Sequence, residues 1–173
     1  PAAIGMVFST LYNVVDVFFA GMIGTDAQAG LAISFQAFFI FVTIGFGLSS
    51  AMTALVGNAI GAKKTTDASI IAAQGIGFAI LTSILLIVVA RFIGPHLLAI
   101  ISTEGAYRAA GEAYFMILIF SLPGFIMGYG LNGILQAQGD TVSMQYALIG
   151  AFFANIGLNP LMMFGIPGIW GGL

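Results

Sequence analysis

Long stretches without a charged residue constrain the fold of this chain more than any other feature. A helix that crosses the hydrocarbon core of a bilayer needs about 20 predominantly apolar residues. Each uncharged stretch is long enough for one such helix. The stretches run between Asp26 and Lys63, between Asp67 and Arg91, between Glu112 and Asp140, and from Asp140 to Leu173.

The composition excludes a soluble fold and indicates a membrane protein. Of the 173 residues, 60% are hydrophobic and only 6% are charged, whereas a soluble domain carries about 25% charged residues. We therefore predict an all-α membrane protein, a polytopic helix bundle whose helices satisfy their own backbone hydrogen bonds in lipid. The chain has no cysteine, which excludes disulfides and thiolate metal sites.

The apolar runs predict five full transmembrane helices and the start of a sixth. A polar link from residue 91 to residue 105, which contains Gly94, Pro95 and His96, is expected to separate the third helix from the fourth. The chain begins at a proline and ends where another apolar segment starts, so we expect residues 1–173 to be part of a longer protein. The helices are expected at about 1–23, 28–56, 69–90, 107–135, 143–164 and, for the start of the sixth, 169–173.

The basic residues predict an orientation in the membrane. Lys63 and Lys64 are adjacent and form the one basic cluster of the sequence, and cytoplasmic loops carry an excess of such residues. We expect the turn between the second and third helices to be cytoplasmic, which leaves Arg91 and Arg108 on the outer side.

Asp16 is the one charged residue away from the ends of a predicted span, since Arg108 and Glu112 lie in the first two turns of the fourth. A carboxylate within a bilayer costs on the order of 2.5–3.5 kcal/mol on insertion scales. An acid in this setting indicates a titrating or ion-binding group in a cavity, and the alternative is a structural residue hydrogen-bonded between helices. Residues at intervals of three and four form one polar face of the first helix, namely Gly5, Ser9, Tyr12, Asn13 and Asp16.

The fifth predicted helix offers partners for Asp16. Asn155 and Asn159 are four residues apart and therefore share a helix face. Pro160 lacks the N–H that would bond the carbonyl of Ile156, so a backbone acceptor is left free near both amides. These groups could bind a small cation such as sodium or hold a proton on Asp16; alternatively, the two asparagines only join helices.

The fourth predicted helix carries two further candidates. Pro123 predicts a bend, which is either a hinge or a static kink. Asn132 is a candidate cavity residue, and Gly124 and Gly128 form a pair of small residues suited to close helix packing.

The sequence contains no motif of an enzyme. It has no phosphate-binding glycine loop, no nucleotide fingerprint, no metal-ligand spacing of His or Cys and no Ser–His arrangement for hydrolysis. We therefore predict a protein without enzymatic activity, without a cofactor and without a nucleic-acid partner. If the chain transports a solute, an ion gradient supplies the energy.

Four segments form an ordered set of motifs across nearly the whole chain. They are Leu11-Tyr-Asn-Val-Val-Asp-Val-Phe-Phe-Ala-Gly-Met-Ile-Gly24, Gly57-Asn-Ala-Ile-Gly-Ala62, Gly133-Ile-Leu-Gln-Ala-Gln-Gly-Asp-Thr141 and Asn155-Ile-Gly-Leu-Asn-Pro160. This set resembles the multidrug and toxic compound extrusion (MATE) family of secondary transporters. The resemblance implies part of the amino-terminal lobe of a twelve-helix, two-lobe transporter, with the carboxy-terminal lobe as its partner, in the lipid bilayer of a prokaryotic plasma membrane.

The resemblance also implies a function and a coupling site. Family members export mostly cationic, amphipathic drugs and metabolites in exchange for protons or sodium, and Asp16 matches the coupling acid of the bacterial and archaeal branch. Asn155 matches the asparagine that opens the fifth-helix motif. Asn159 stands where the family often has aspartate, which removes one carboxylate from a sodium site near Asp16.

Further positions follow from the same resemblance. Pro1 matches a first-helix proline associated with bending between states, so bends are expected at Pro1, Pro123 and Pro160. Tyr12 and Asn132 match cavity positions that contact substrate, and Asn13 lies beside Tyr12 on the same polar face.

Other functions remain as alternatives. A lipid-linked sugar flippase of the same superfamily tends to need basic residues in its cavity, whereas the basic residues here lie between or at the ends of predicted helices. A membrane scaffold without transport activity needs no buried acid, so Asp16 argues against it. The absence of a catalytic constellation disfavours an intramembrane enzyme.

Overall fold

The computed structural model describes residues 2–164, apart from the side chains of residues 2–6, 9 and 162–164. This part of the chain is helical, which confirms the all-α prediction; Pro1 and the expected sixth helix at 169–173 lie outside it. The helices are α1 (Ala2–Ile23), α2 (Thr25–Gly61), α3 (Thr65–Ile101), α4 (Ala106–Leu118), α5 (Leu122–Ala137) and α6 (Ser143–Phe164), with a 3-10 turn at Ile119–Ser121.

Three helical segments of the described residues are long and apolar enough to cross a membrane. They are Thr25–Gly61, Thr65–Ile101 and Ala106–Ala137, whereas the apolar part of α1, Thr10–Ile23, is shorter. A helix of 37 residues is about 55 Å long at 1.5 Å of rise per residue, so α2 and α3 exceed the thickness of the hydrocarbon core. The described helices make this a multi-pass membrane protein, and three of the five expected spans are clear among the described residues.

One compact unit contains α1, the first turn of α2 up to Gln28, and α6. The ring of Phe8 on α1 meets the ring of Phe152 on α6 edge to face, with centroids 5.3 Å apart. Gln28 Nε2 donates to the carbonyl oxygen of Val17 at 3.4 Å, which ties the start of α2 to α1. This unit holds Asp16, Asn155 and Asn159.

The second compact unit, Ala29–Asp140, contains the rest of α2 together with α3, α4 and α5. A Cβ at Gly133 on α5 would collide with the carbonyl oxygen of Ser49 on α2, and Thr53 Oγ1 donates to the Gly133 carbonyl at 3.1 Å. Glycine therefore permits a close approach of α2 and α5. The apolar core includes the fully buried side chains of Leu98, Phe115, Ile119, Leu122 and Ile126.

Helix α3 corrects the link expected between residues 91 and 105. The helix continues through Gly94 and Pro95, and His96 lies exposed on it, with Nδ1 3.1 Å from a backbone carbonyl oxygen one turn earlier. Gly94 is buried so closely against the ring of Phe115 that a Cβ would collide with it. The packing of Gly94 against α4 thus stabilises the helical conformation of this segment, although Pro95 has no N–H to donate one of its backbone hydrogen bonds.

Other helix boundaries also differ from the expected ones. Helix α2 is longer at both ends than 28–56, and α3 begins before residue 69. The fourth predicted helix, 107–135, is interrupted by the 3-10 turn directly before Pro123 rather than at it. Pro123 occupies the first turn of α5, where its missing N–H sacrifices no helix hydrogen bond. Helix α6 covers residues 143–164 and contains Pro160.

Candidate functional site

Asp16 lies on the half-buried side of α1. Val14 and Phe18, two positions before and after it, are 58% and 63% exposed. Residues two apart on a helix point to nearly opposite sides, so the apolar side chains face outward while Asp16 faces α6. Of the polar face expected on α1, Asp16 is thus the residue that the structure directs at α6, whereas Tyr12 and Asn13 are exposed.

Helix α6 presents two amides to this carboxylate. Asn155 Nδ2 donates to Asp16 Oδ1 at 2.9 Å, and Asn159 Nδ2 donates to the same oxygen at 2.8 Å. Asn159 Nδ2 also lies 3.2 Å from Asn155 Oδ1, to which it donates. Asn155 is only 8% exposed, so the three side chains form a closed hydrogen-bonded triangle in the contact between α1 and α6.

The two oxygens of Asp16 have different surroundings. Oδ1 accepts both amide hydrogens, whereas Oδ2 has no hydrogen-bond partner among the side chains that the structure describes. Two N–H donors on one oxygen suit an ionised carboxylate, because hydrogen bonds to a charged group are stronger than those between neutral groups. Oδ2 is left to accept a proton or to coordinate a cation.

Asp16 is held by amides rather than by a basic side chain. The ion pairs within the described residues are Lys64–Asp67 and Arg108–Glu112, and both lie in the second unit. The same residues contain no group of three or more His, Cys, Asp or Glu side chains that could hold a metal ion. Any cation at this site would therefore have one carboxylate, with amide or backbone oxygens as its other ligands.

Pro160 follows Asn159 directly inside α6. Because proline has no N–H, the carbonyl of Ile156 receives no helix hydrogen bond from position 160. The expected backbone acceptor in the helical turn that carries both amides stays a prediction.

The other candidate residues are distributed over both units. Tyr12, which is 37% exposed, and Asn13, which is also exposed, lie on α1 one turn before Asp16. Asn132 is half-buried on α5, in the second unit together with Pro123. The structure thus brings together Asp16, Asn155 and Asn159, and it places Asn132 in a different unit from them.

An aromatic cluster in the contact between α1 and α6 was not expected from the sequence. The rings of Phe8, Phe152 and Phe153 are in mutual contact, with centroid distances of 5.3 Å, 6.4 Å and 5.4 Å. The cluster fastens α1 to α6 on one side of the hydrogen-bonded triangle. With 16 phenylalanines in the chain, these three carry no distinguishing signal in the sequence.

Comparison with known proteins gives a consistent set of relatives. A family model described as MatE matches residues 1–161. The probable multidrug resistance protein YoeA of Bacillus subtilis is 26% identical, over 99% of this chain and 38% of the relative. The probable multidrug resistance protein NorM of Burkholderia mallei is also 26% identical, over 96% and 35%. The chain therefore spans little more than a third of the length of these relatives.

Solved structures share the fold. A MOP superfamily transporter from Pyrococcus furiosus Vc1 superposes with a TM-score of 0.85 at 21% identity, over 96% of this chain and 36% of the other. A MATE structure in the bent conformation gives a TM-score of 0.84 at 22% identity, over 94% and 37%. At this level of identity the likeness establishes the fold of the described chain.

Proposed function

The chain belongs to the MatE family, and from that membership we propose that it forms part of a secondary active antiporter. The antiporter exports cationic, amphipathic drugs or metabolites across a cell membrane in exchange for protons or sodium. The multidrug resistance and export proteins among its relatives and its three membrane-spanning helices support this function.

The proposal includes a larger architecture. The chain supplies five full transmembrane helices and the start of a sixth, as the amino-terminal lobe of a twelve-helix transporter. The carboxy-terminal lobe completes the cleft in which the substrate binds. The limited share of the relatives that the chain covers supports this division.

The observation that carries the proposal is the pair of amide donors on one oxygen of Asp16. Asn155 and Asn159 stabilise an anion inside the membrane, where an isolated charge is costly. A proton or cation at Oδ2 neutralises the carboxylate and makes Oδ1 a weaker acceptor. Ion occupancy therefore alters the contact between α1 and α6.

This link between occupancy and helix packing is the basis of coupling. An ion shifts the balance between two conformations only by binding one of them more tightly than the other. If the conformation in which Asp16 is neutralised has a lower affinity for the organic cation, then binding of the proton or sodium ion to Asp16 releases the substrate. Bends at Pro1 and Pro160 accommodate the repacking of α1 and α6, and Pro123 provides a bend in the second unit.

The donor set favours protons over sodium as the coupling ion. Both amides direct N–H groups towards Asp16, whereas a hard cation requires oxygen ligands. Asn159 supplies an amide at the position where the MATE pattern often has a second carboxylate. A single carboxylate with amide donors on one oxygen retains the capacity to bind one proton on the other.

Three residues are proposed as substrate contacts. Tyr12 and Asn13 lie on α1 one turn before Asp16, and Asn132, on α5 in the second unit, is proposed separately from its match to the MATE pattern. Tyrosine and asparagine can meet an amphipathic cation with a π face and with hydrogen-bonding groups.

The experiment is export of a fluorescent organic cation from liposomes that contain the full-length protein. A proton gradient and a sodium gradient are imposed separately, and liposomes without protein give the passive leak. We expect the proton gradient to drive export and the sodium gradient to leave it at the level of the leak. Absence of export under both gradients would contradict the proposed function, and export driven by sodium alone would contradict the choice of ion.

A further inference from the structure

A cavity of about 220 Å³ lies in the second unit, where α2 ends and α3 begins. Val56, Ile60 and Ala72 contribute apolar surface, and Thr65, Ser69 and Gln138 contribute hydrogen-bonding groups. The volume exceeds the share of one water molecule in the liquid, about 30 Å³, several times over. The cavity therefore presents an amphipathic lining large enough for part of an organic molecule.

Two hydrogen-bond donors of the cavity lining have no side-chain partner among the described residues. Ser69 Oγ donates to the carbonyl oxygen of Thr65 at 3.1 Å. In contrast, the hydroxyl of Thr65 and the amide of Gln138 make no hydrogen bond with a described side chain. Lys63 lies outside the lining, two residues before Thr65, and its ammonium group forms no ion pair within the described part of the chain. Two neutral donors in the lining with a cation beside it suit a ligand that offers anionic and neutral oxygens.

The charges beside the cavity are not fully compensated. Lys63 and Lys64 immediately precede Thr65. Lys64 Nζ lies 4.0 Å from Asp67 Oδ2, but both side chains are more than half exposed, and such surface pairs contribute little. Asp140, two residues beyond Gln138, already has an interaction of its own. Lys63 is therefore the cation that remains available to a ligand.

We propose that this cavity binds an anionic phospholipid of the cytoplasmic leaflet. The phosphate contacts Lys63 and Lys64, and the ester oxygens accept hydrogen bonds from Thr65 and Gln138. The first carbons of one acyl chain pack against the apolar lining. Basic pockets between transmembrane helices on the cytoplasmic side are suited to anionic headgroups, and the turn that carries both lysines is expected on that side.

The backbone at Lys63 offers a variant that removes the charge without disturbing the turn. Lys63 closes α2 with a φ of 59°, and Gly139 closes α5 with a φ of 81°. The two turns have equivalent closing hydrogen bonds, from Lys64 N to the Ala59 carbonyl at 3.0 Å and from Asp140 N to the Leu135 carbonyl at 2.9 Å. Glycine adopts this backbone conformation without strain, so Lys63→Gly folds at least as well as the natural protein.

The test measures lipid retention by the purified full-length protein. The protein is incubated with phosphatidylglycerol or with phosphatidylcholine, and bound lipid is quantified by native mass spectrometry. We expect preferential binding of phosphatidylglycerol and a loss of about fivefold in affinity for Lys63→Gly, the contribution of one basic residue near an anionic surface. Arg91→Gln, at an exposed position of α3 far along the helix from the lining residues Thr65 and Ala72, removes the same charge and should bind as the natural protein does.

Two further variants separate the cavity from the surface charge. Thr65→Val removes an unused hydroxyl, and Ala72→Leu fills apolar space, so both should weaken phosphatidylglycerol binding with both lysines present. Equal retention of both lipids, unchanged binding by Lys63→Gly, or an equal loss in Arg91→Gln would overturn the proposal. Full competition by soluble glycerol 3-phosphate would also overturn it, because the ligand would then be a free phosphate ester rather than a lipid.

Discussion

At the scale of single residues, the amides of α6 define what Asp16 can do. Asn155 and Asn159 both occupy Oδ1, so one oxygen is committed to the helix contact and the other is available to an ion. The four-residue spacing of the asparagines predicted that they share a helix face. The isolated carboxylate of Asp16 predicted that polar partners lie close to it. The sharing of one oxygen could not be predicted, because it depends on how α1 and α6 are placed relative to each other.

Asn159→Asp should introduce sodium dependence. The change adds a second carboxylate where an amide now lies 2.8 Å from Asp16 Oδ1, and carboxylate oxygens are preferred ligands of hard cations. Export by the variant in liposomes is expected to respond to an imposed sodium gradient. Asn58→Asp adds the same charge at an exposed position near the end of α2, in the other unit, and should give no sodium response. An Asn159→Asp protein that remains indifferent to sodium would contradict this account of ion choice.

Asn155→Ala should destabilise the protein. The variant removes a buried donor whose hydrogen bond joins α6 to α1, and hydrogen bonds between membrane helices contribute about 0.6–1.7 kcal/mol. Thermal unfolding of the detergent-solubilised protein should shift to a lower temperature. Asn58→Ala deletes an exposed amide near the end of α2 and serves as the control. Equal unfolding temperatures for the two variants would show that the triangle contributes no stability.

At the scale of helices, packing against neighbours decides where α3 ends. Gly94 and Pro95 have the composition of a turn, which is why the sequence predicted a link there. In the structure the absence of a side chain at Gly94 admits the ring of Phe115, a contact between residues far apart in the sequence. Helix α6, in contrast, is bounded by a polar turn at its start, and its extent was predictable from local sequence alone.

Gly94→Ala should destabilise the second unit. The new Cβ would collide with the Phe115 ring, which is fully buried and has little room to move, so we expect a loss of about 1–3 kcal/mol, typical of overpacking. Gly77→Ala lies on the same helix, where a Cβ meets no atom within 4 Å. Thermal unfolding should therefore separate the two variants, and similar unfolding temperatures would contradict the packing described for α3.

At the scale of the whole molecule, the chain consists of two compact units with different contents. The carboxylate and its two amides lie in the unit formed by α1 and α6, and the three clearly membrane-spanning segments lie wholly or mostly in the other. The uncharged stretches predicted the all-α membrane class, and the ordered motifs predicted the family. The exact helix bounds were less predictable, because apolar length in the sequence does not fix where a helix begins and ends.

The central claim is that Asp16 couples export to an ion gradient. Asp16→Asn preserves the size of the side chain but removes its charge and its capacity to bind a proton at neutral pH. In liposomes with an imposed proton gradient, export of the fluorescent cation by Asp16→Asn should fall to the level of liposomes without protein. Asp26→Asn, which makes the same change at an exposed position in the first turn of α2, should retain export. Export by Asp16→Asn at the rate of the natural protein would contradict the account.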